Sequence, residues 1–518
     1  MKQLALIWLV LPALLFAQQS PPPIEFNVSS FQVEGDNRLT AAATKQLLSQ
    51  YIGQHSGLDG LAEAASTLEI AHTEIGHTFH RVQLPPQTMT AGVVVLEVVV
   101  FTLGDIRVTG NQHYDDDQIL RSLPAIKANQ APNTRRIARS LALANRHPHR
   151  QQAVNITQGN QPKTLDAEIR VKDQKPWQLF AGLSNIGTDR SGRTRVTAGA
   201  QHGSLLGFDD TATVSYTTAE QNPEDVQQYG FSYNLPLYRW ASNLNLFYSR
   251  SDVDSGTINS LEISGAGRFA GIHLSHLLLR QNNYSHEVSV GLVDKFFDNN
   301  ASFIGINLAA DVRSRPLSLG YSGQYRTAKA QIGFATSLNI NTGGGANSSQ
   351  SDYRANRAGA SNHWQRFNLS GHINYFLDNQ WLLRAILDAQ HSNEPLISGE
   401  QFGLGGINSV RGFDERAVTG DSGMRLSLEA WLPPLALANA PRLLAFVDYG
   451  YIDRENALAG EAHSDNIMSV GIGSRWSWQE NLNLSVDYGY VTNSAEHLQG
   501  TTIDPGHAKW HINLIVRY

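Results

Sequence analysis

The last eleven residues, 508–518 (AKWHINLIVRY), alternate between apolar and polar side chains. The apolar set comprises Trp510, Ile512, Leu514, Val516 and Tyr518, and the polar set comprises Lys509, His511, Asn513 and Arg517. A period of two places successive side chains on opposite faces of a β-sheet. Because charged and amide groups occupy the second face, the segment predicts a strand with one apolar side and one hydrated side.

The same alternation recurs at 424–432 and 482–490, although a soluble β-sandwich would also show it. The lengths of the connections between strands distinguish a β-sandwich from a membrane barrel. Strand-like runs near 364–377 and 380–393 are joined by two residues, and runs near 466–479 and 481–492 by little more than one. Long polar loops occupy the other connections, at 341–363, 392–422, 454–465 and 493–506. Tight turns that alternate with long loops are typical of outer-membrane barrels.

About sixteen strands fit between Trp177 and Tyr518, because roughly 340 residues allow about 21 for each strand with its connection. The mean hydropathy of −0.28 agrees with such a barrel, since only alternate residues of its strands face lipid. The sequence therefore predicts a transmembrane antiparallel β-barrel over residues 174–518.

Composition excludes several other classes of protein. The 40 Lys and Arg against 46 Asp and Glu leave no basic excess for binding nucleic acid. The lack of cysteine excludes disulfides, thiolate metal sites and a cysteine nucleophile. A hydrophobic fraction of 41% excludes a disordered chain.

The N-terminus has the pattern of a secretory signal peptide over residues 1–17. Lys2 precedes the apolar run Leu4–Phe16, and the small residue Ala17 stands where cleavage is expected. A run of about thirteen apolar residues is too short to span a bilayer, which requires about 20. Residues 18–30, which include three consecutive prolines, are predicted to be a short linker.

Two segments before the barrel begin alike. Phe31–Asp36 and Ile106–Asn111 share the pattern apolar-x-Val-x-Gly-Asp/Asn. Each is followed by two helix-like segments and a closing strand-like run, in the first case Leu39–Ile52, Leu58–Gly76 and Val93–Phe101, and in the second Asp117–Leu123, Thr134–Asn145 and Leu165–Val171. The repeat predicts two α+β modules, over residues 31–103 and 104–173.

No segment predicts an enzyme, a cofactor site or a metal site. The histidines at 72, 77 and 80, and those at 147 and 149, do not have His-Glu-x-x-His spacing. Gly420–Gly423 (GDSG) resembles a serine-protease nucleophile segment, but it lies in a long loop without a domain to supply the partner histidine and aspartate. Asn341–Gly345 (NTGGG) lacks the Lys-Ser/Thr end of a phosphate-binding loop and is predicted to be flexible.

The segment Val410-Arg411-Gly412-Phe413 lies in the longest of the loops. In a later strand, parity places apolar residues towards lipid and turns Phe446, Asp448 and Gly450 into the lumen. An arginine on the surface and a hydrated wall carboxylate would be the simplest interpretation. Alternatively, Arg411 folds inward and binds Asp448 through two hydrogen bonds.

These two motifs resemble the hallmark of the outer-membrane insertase and translocase superfamily. Further motifs are similar to those of the two-partner secretion transporters, the haemolysin and filamentous-haemagglutinin exporters. They are Leu84–Thr88 with Gly92, Asn145–Arg150, Val171–Trp177, Asn185 with Gly187, Leu205–Asp209 and the terminal Tyr518. The resemblance covers nearly the whole chain after residue 17.

The resemblance implies two periplasmic polypeptide-transport-associated (POTRA) domains and a sixteen-stranded barrel in the outer membrane. It implies export of an unfolded partner exoprotein, captured by the POTRA domains, without nucleotide hydrolysis. The expected partners are a large secreted, β-helical exoprotein, outer-membrane lipid, and the barrel-assembly machinery and periplasmic chaperones during biogenesis, with no nucleic acid. A pore-plugging N-terminal helix, which many members carry, is not expected, because residues 18–30 are few and proline-rich.

Two other functions remain open from the sequence. A barrel-assembly insertase of the same superfamily usually carries more POTRA domains. A passive porin or receptor, from a different functional class, would not require the duplicated modules.

Overall fold

A computed structural model describes residues 24–187, 192–224, 226–252, 256–258, 261–263, 266–298, 302–303, 306–307, 310–437, 439–457, 462–479, 481–495 and 505–518. The predicted signal peptide and the first part of the predicted linker lie outside these residues. In the described part of the chain, none of the helices has the length and apolar character needed to cross a membrane.

The chain divides into two compact units close to residue 102. The first unit contains the described residues up to 102 with two short segments, 131–134 and 160–164. The second unit contains the rest of the second module together with all that follows. Thus most of the second module shares a compact unit with the C-terminal part of the chain.

The first module packs two helices against a small sheet. Its elements are the strands Glu25–Val28, Ser30–Gly35, Gly53–Ser56, His80–Gln83 and Val93–Val100, and the helices Ala41–Leu48, Ser49–Tyr51 (3₁₀) and Asp59–Glu74. Val93–Val100 is the central strand, parallel to Ser30–Gly35 and antiparallel to His80–Gln83. Leu48, Ala64, Leu68 and Leu96 form its buried core.

Part of the predicted linker 18–30 belongs to this module. Glu25–Val28 pairs antiparallel with Gly53–Ser56. Val28 is fully buried, and Phe26 packs against the same apolar cluster. The sequence interpretation missed this strand because four residues are too short for alternation to identify.

The second module has the order β-α-α-β-β, with the two predicted helices between its first strand and its last two. Its elements are Thr102–Thr109, the helices Asp116–Ser122 and Thr134–Ala144, and the strands Arg150–Gln158 and Thr164–Asp173. The last strand lies in the centre of the sheet, so Arg150–Gln158 is an edge strand. Asp115 begins the first helix with a capping box, in which its side chain accepts from the Gln118 nitrogen.

A closed antiparallel barrel of sixteen strands follows. We number them 1 to 16 in chain order: Trp177–Ser184, Arg195–Gly203, Thr211–Ala219, Gln227–Leu237, Ser242–Ser251, Gly267–Leu277, Tyr284–Phe297, Val312–Ser314 continued by Pro316–Arg326, Ala330–Asn341, Gln365–Phe376, Leu382–His391, Ser422–Trp431, Arg442–Asp453, Ser464–Trp478, Leu482–Asn493 and Ala508–Arg517. Strand 16 pairs with strand 1 and closes the barrel. The predicted fold class is therefore confirmed.

Strand 13 shows how the alternation is used. Leu443 and Val447 are 39% and 37% exposed, whereas Phe446 and Asp448 are almost completely buried. A barrel presents such exposed apolar side chains to lipid and turns the intervening set towards the lumen. Polar and charged residues of strands 12 to 16 are consequently collected on one inner wall.

Connections on one side are short and those on the other are long, as predicted. The long connections contain small elements of their own: Gly256–Ile258 with Leu261–Ile263, Ser302–Phe303 with Ile306–Asn307, the helix Gln350–Asn356, the 3₁₀ turn Ser398–Glu400, and Phe402–Leu404 with Val418–Gly420. A further 3₁₀ turn, Tyr238–Trp240, follows strand 4. Ser349 begins the helix with a capping box, a signal that the sequence interpretation of this loop did not use.

Candidate functional site

The longest loop, between strands 11 and 12, returns into the barrel and packs against its inner wall. It runs from Ser392 to Asp421 and contains a short hairpin of Phe402–Leu404 with Val418–Gly420. At its tip, Val410, Arg411 and Phe413 are 0–4% exposed. A loop that reached into solvent would not bury these side chains, so the tip is an internal structure.

Glycines allow the loop to turn back. Gly405 and Gly406 have φ angles of 106° and 104°, in a backbone region that residues other than glycine rarely adopt. Gly412 has a φ of 97° and lies against the backbone of strand 15. A methyl group on Gly489 of that strand would come within 2.5 Å of the Gly412 nitrogen. Two facing glycines thus allow the loop tip and the wall to touch backbone to backbone.

Arg411 binds Asp448 through a bidentate pair. Its Nε donates to Asp448 Oδ2 at 2.7 Å and its Nη2 donates to Oδ1 at 2.8 Å. The Arg411 backbone nitrogen also donates to Oδ2, at 3.1 Å. The planar guanidinium matches the two carboxylate oxygens, a geometry that lysine cannot reproduce.

Asp448 is one of three carboxylates around this guanidinium. Arg411 Nη2 lies 3.0 Å from Glu429 Oε1, and Nη1 lies 3.5 Å from Asp487 Oδ1. The guanidinium carbon is 3.4 Å from the centre of the Phe446 ring, a cation–π contact. Ser427 accepts from Nη2 and donates to Asp448. Arg411 is therefore surrounded by acceptors from strands 12, 13 and 15.

The energetic consequence follows from burial. Taking an arginine and a carboxylate out of water costs several kcal/mol for each ion, and only a well-formed pair recovers it. Removing one partner of such a pair typically destabilises by about 3–5 kcal/mol, because the other charge stays buried alone. The loop tip therefore has a strong preference for this position over a partly displaced one.

Strand 16 holds the tip from another side. Gly412 donates its backbone hydrogen to His511 Nε2 at 2.9 Å. Two residues before His511, Lys509 forms an ion pair with Asp414 of the loop. The strand that closes the barrel thus also contacts the loop tip.

Apolar contacts complete the tip. Val410 and Phe413 belong to a buried cluster with wall residues from strands 13, 14 and 15, namely Ile452, Ile467 and Val491. Gly450 faces this cluster, and a methyl group there would lie 2.7 Å from Leu404 and 3.1 Å from Val410. The spacing Phe446-x-Asp448-x-Gly450 therefore supplies a ring for the guanidinium, an acceptor and room for the loop.

Glu400 provides a second attachment of the loop, to strands 7 and 10. It is 1% exposed and accepts from Lys295 Nζ and Arg366 Nη1, each at 2.9 Å. Burial would raise the pKa of Glu400, but the charges of Lys295 and Arg366 together hold this pKa below its ordinary value. Glu400 is consequently a fixed negative charge in the part of the loop that precedes the hairpin.

Asp421 provides a third attachment, at the base of the loop. It is fully buried and accepts from Arg357 Nη1 at 3.0 Å, from Gln401 Nε2 at 3.1 Å and from the Leu396 nitrogen at 2.8 Å. The backbone nitrogen of Glu455, in the next long loop, donates to its other oxygen at 2.9 Å. Asp421 therefore ties three outer loops together.

The loop does not fill the lumen. A cavity of about 800 Å³ remains between the loop and the wall of strands 7 to 12. Its lining includes the polar residues Ser322, Ser337, Asn368 and Ser370. These side chains can hydrogen-bond to peptide groups, which avoids the desolvation that a lipid path would impose.

The structure brings together all of the residues that the sequence singled out for this site. Val410–Phe413 meet Phe446, Asp448 and Gly450 on the inner wall. The sequence interpretation did not identify Glu429, Asp487 and His511 as further partners. Parity had already placed these three on hydrated faces, but only their contacts with Arg411 and Gly412 show that they surround the loop tip.

The histidines at 72, 77 and 80, which the sequence did not predict to bind a metal, pack inside the first module. In the first module, His72 Nδ1 bonds to the Leu68 carbonyl and Nε2 accepts from the Arg38 nitrogen. Both ring nitrogens of His72 are thus engaged by backbone. His80 stacks beside His72 and is fully buried. The group forms part of the module's packing.

Comparison with known proteins identifies the family of the barrel. Residues 166–476 match the family described as haemolysin secretion/activation protein ShlB/FhaC/HecB, and residues 26–100 match the POTRA domain, ShlB-type. The outer membrane transporter CdiB of Escherichia coli is 24% identical over 482 residues, which cover 90% of this chain and 78% of that protein. The heme/hemopexin transporter protein HuxB of Haemophilus influenzae is 20% identical, over 82% of this chain and 76% of that protein.

Solved structures share the fold. CdiB from Escherichia coli superposes with a TM-score of 0.79 at 19% identity, covering 98% of this chain and 93% of that chain. CdiB from Acinetobacter baumannii gives a TM-score of 0.73 at 15% identity, covering 97% and 91%.

Proposed function

The chain belongs to the haemolysin secretion/activation protein family ShlB/FhaC/HecB, and on this premise we propose that it exports one large partner exoprotein across the outer membrane. Members of the family are transporters, and the barrel lies in the outer membrane with its POTRA region in the periplasm. The exoprotein passes through the lumen as an unfolded chain. No enzymatic step is part of the proposed function.

The observation that carries the proposal is the buried Arg411 pair inside a polar lumen. A pore that only admits small solutes does not require an internal loop attached at Arg411, Glu400 and Asp421. Buried ion pairs of this kind are stable only in the arrangement that satisfies both charges, so they fix the loop in one position. In the proposed function, the Arg411 pair holds the loop tip against the inner wall in the position that is competent for transport.

In the proposed function, the periplasmic modules capture the exoprotein. Among the described residues, no further strand pairs with the outer strands of their sheets, which are Ser30–Gly35 and His80–Gln83 in the first module and Thr102–Thr109 and Arg150–Gln158 in the second. An extended segment can add to such an edge through backbone hydrogen bonds with little demand on its sequence. Folding of the exoprotein outside the cell then supplies the driving force.

The experiment is a secretion assay. The neighbouring reading frames are searched for a large, β-helical secreted protein. This candidate exoprotein is produced in cells with and without the chain, and its amount is measured in the medium and the periplasm. We expect export only when the chain is present. Equal export without the chain would contradict the proposal, as would full export with Arg411→Ala at an equal amount of folded barrel.

A further inference from the structure

Two sequence motifs that lie far apart meet at the junction of the second module and the barrel. Asn145–Arg150 ends in the arginine that begins the edge strand Arg150–Gln158. Leu205–Asp209 lies in the turn between strands 2 and 3. The structure joins the last residue of one motif to the last residue of the other.

Arg150 and Asp209 form a fully buried bidentate ion pair. Arg150 Nη1 donates to Asp209 Oδ1 at 3.0 Å and Nη2 donates to Oδ2 at 2.7 Å. The two side chains are 0% and 3% exposed. Tyr238, from the next turn on this side of the barrel, donates to Asp209 Oδ2 at 3.0 Å, and the Arg150 guanidinium lies 5.0 Å from the ring centre of Tyr114.

Local structure presents each charge in a fixed direction. Asn145 and Gln152 exchange two hydrogen bonds across the turn that contains Pro148, which fixes the start of the edge strand. On the barrel side, the Asp210 carboxylate accepts from the backbone nitrogens of Leu206 and Phe208 and closes the turn. Asp209 itself has a φ of 60°, a conformation that Asp and Asn tolerate better than most residues.

Weaker contacts surround the pair. Gln118 Nε2 donates to Ser204 Oγ at 2.9 Å, and Arg121 donates to the Gly207 carbonyl at 3.1 Å. A second ion pair across the same junction, Arg146 with Glu287, is 44% and 26% exposed. Exposed pairs contribute little, whereas a buried bidentate pair cannot lose one partner without leaving the other charge unsatisfied.

We propose that Arg150 and Asp209 are positioning residues that lock the second module to the periplasmic mouth of the barrel. The inference rests on the proposed export function. The lock holds the barrel-proximal end of the edge strand Arg150–Gln158, so that an exoprotein segment added to this strand beyond Gln152 is presented to the pore in one orientation. Neither residue touches the Arg411 site, so the lock acts on delivery and not on the loop.

Distance measurement tests the lock directly. The chain has no cysteine, so Thr157→Cys on the edge strand and Asn379→Cys in a short barrel turn place two spin labels without background. In the purified full-length protein we expect a single narrow distance distribution. Arg150→Gln and Asp209→Asn should each convert it to a broad one. Asp209→Asn is the milder variant, because asparagine keeps both the size of the side chain and the backbone conformation.

Arg146→Ala is the matched control, since it removes the exposed ion pair at the same junction. It should leave the distance distribution narrow. Heat-modifiable migration and hydrogen exchange of the 164–173 strand verify that barrel and module remain folded in every variant. A distribution that stays narrow in both Arg150→Gln and Asp209→Asn would overturn the lock.

Secretion of the exoprotein tests the positioning role. Asp209→Asn should lower the secretion rate on the order of tenfold at an equal amount of barrel, and Arg150→Lys should recover part of the loss in Arg150→Gln. A broadened distribution with unchanged secretion would overturn the positioning role. If the unsubstituted chain exported nothing, the proposed function would fail, whereas the distance measurement would still decide whether the lock exists.

Discussion

Arg411 is a charged residue that the barrel cannot leave unpaired. It is 4% exposed and has Asp448 at 2.7 Å, Glu429 at 3.0 Å and Asp487 at 3.5 Å. Only Asp448 takes two side-chain hydrogen bonds from it and, in addition, accepts from its backbone. The other two carboxylates have arginine partners of their own, Arg384 and Arg475. Asp448 is therefore the principal partner, and the others can substitute for it in part.

This arrangement predicts unequal effects of substitution. Arg411→Ala should reduce secretion strongly, because loss of a buried pair removes about 3–5 kcal/mol from the seated loop. Asp448→Ala should reduce secretion less than Arg411→Ala, since Glu429 and Asp487 still accept hydrogen bonds from the guanidinium. Arg411→Lys should rescue partly. The secretion rates at equal barrel amounts measure these effects.

The double variant provides the decisive comparison for this pair. Arg411→Ala with Asp448→Ala should secrete no less than Arg411→Ala alone, because both substitutions break one contact. Val447→Ala on the lipid-facing side of the same strand serves as the control. Additive losses would mean that the two residues act independently.

His80 predicts acid sensitivity of the first module. Burial lowers the pKa of His80 from 6.5 to about 4, with further lowering by His77 and an opposing effect of Asp36. His72 and Arg38 also face this ring and lower its pKa. Since the folded pKa is depressed, the unfolded module takes up the proton first. Stability should be complete above pH 6.5 and fall by up to about 3 kcal/mol as the pH approaches 4.

Hydrogen exchange of the 93–100 strand, corrected for the intrinsic effect of pH, measures this loss in the full-length protein. His80→Leu should flatten the dependence between pH 6.5 and 4. His55→Gln in the same module should preserve it. An equally steep dependence in His80→Leu would assign the acid sensitivity to other groups.

The sequence predicted only some of the individual residues that form the site. The motif and the parity of strand 13 placed Arg411 with Asp448, because an internal arginine needs a carboxylate. Glu400 and Asp421 were not predicted, since their partners Lys295, Arg366 and Arg357 come from distant strands and loops. Nothing in local alternation indicates which loop residues meet which strands.

The long loop is the element on which the site depends. Its tip is attached through Arg411, the part before the hairpin through Glu400, and its base through Asp421. Each attachment involves a different part of the second unit. Gly450 leaves the space that the loop occupies. The loop can therefore be loosened at one point without deletion of a strand.

Gly450→Val provides this change. The added side chain would collide with Leu404 and Val410 and displace the tip, while strand 13 keeps its pairing. In planar bilayers, the variant should show more frequent large conductance steps than the unsubstituted protein. The recordings should be made with purified, heat-modifiable protein.

Val447→Ile, on the outer face of the same strand, controls for general disturbance and should leave conductance unchanged. Conductance of Gly450→Val that matched the unsubstituted protein would show that the loop tip does not limit the open area of the pore.

Most elements followed from the sequence, because period-two alternation and helix signals are local. The helix predicted over 58–76 is present at Asp59–Glu74, and the runs predicted near 364–377 and 380–393 are strands 10 and 11. The strand Glu25–Val28 and the helix Gln350–Asn356 were missed, since both are short and are stabilised by partners elsewhere in the chain.

At the scale of the whole molecule, residues 18–173 are proposed to recruit the exoprotein and the barrel to let it pass. Deletion of residues 18–173 should leave a heat-modifiable barrel in the outer membrane and abolish secretion. The amount of barrel, measured by its migration before and after heating, corrects for changes in assembly. Secretion at the rate of the full-length chain would remove the recruiting role from the modules.

Site-specific photo-crosslinking during export shows whether the exoprotein passes through the lumen. A photoreactive residue at Asn368 would face the polar cavity, whereas one at its neighbour Phe367, which is 46% exposed, would face lipid. We expect exoprotein to be captured from position 368 and not from position 367. Capture from neither position, or equally from both, while the exoprotein is being secreted would contradict passage through the lumen.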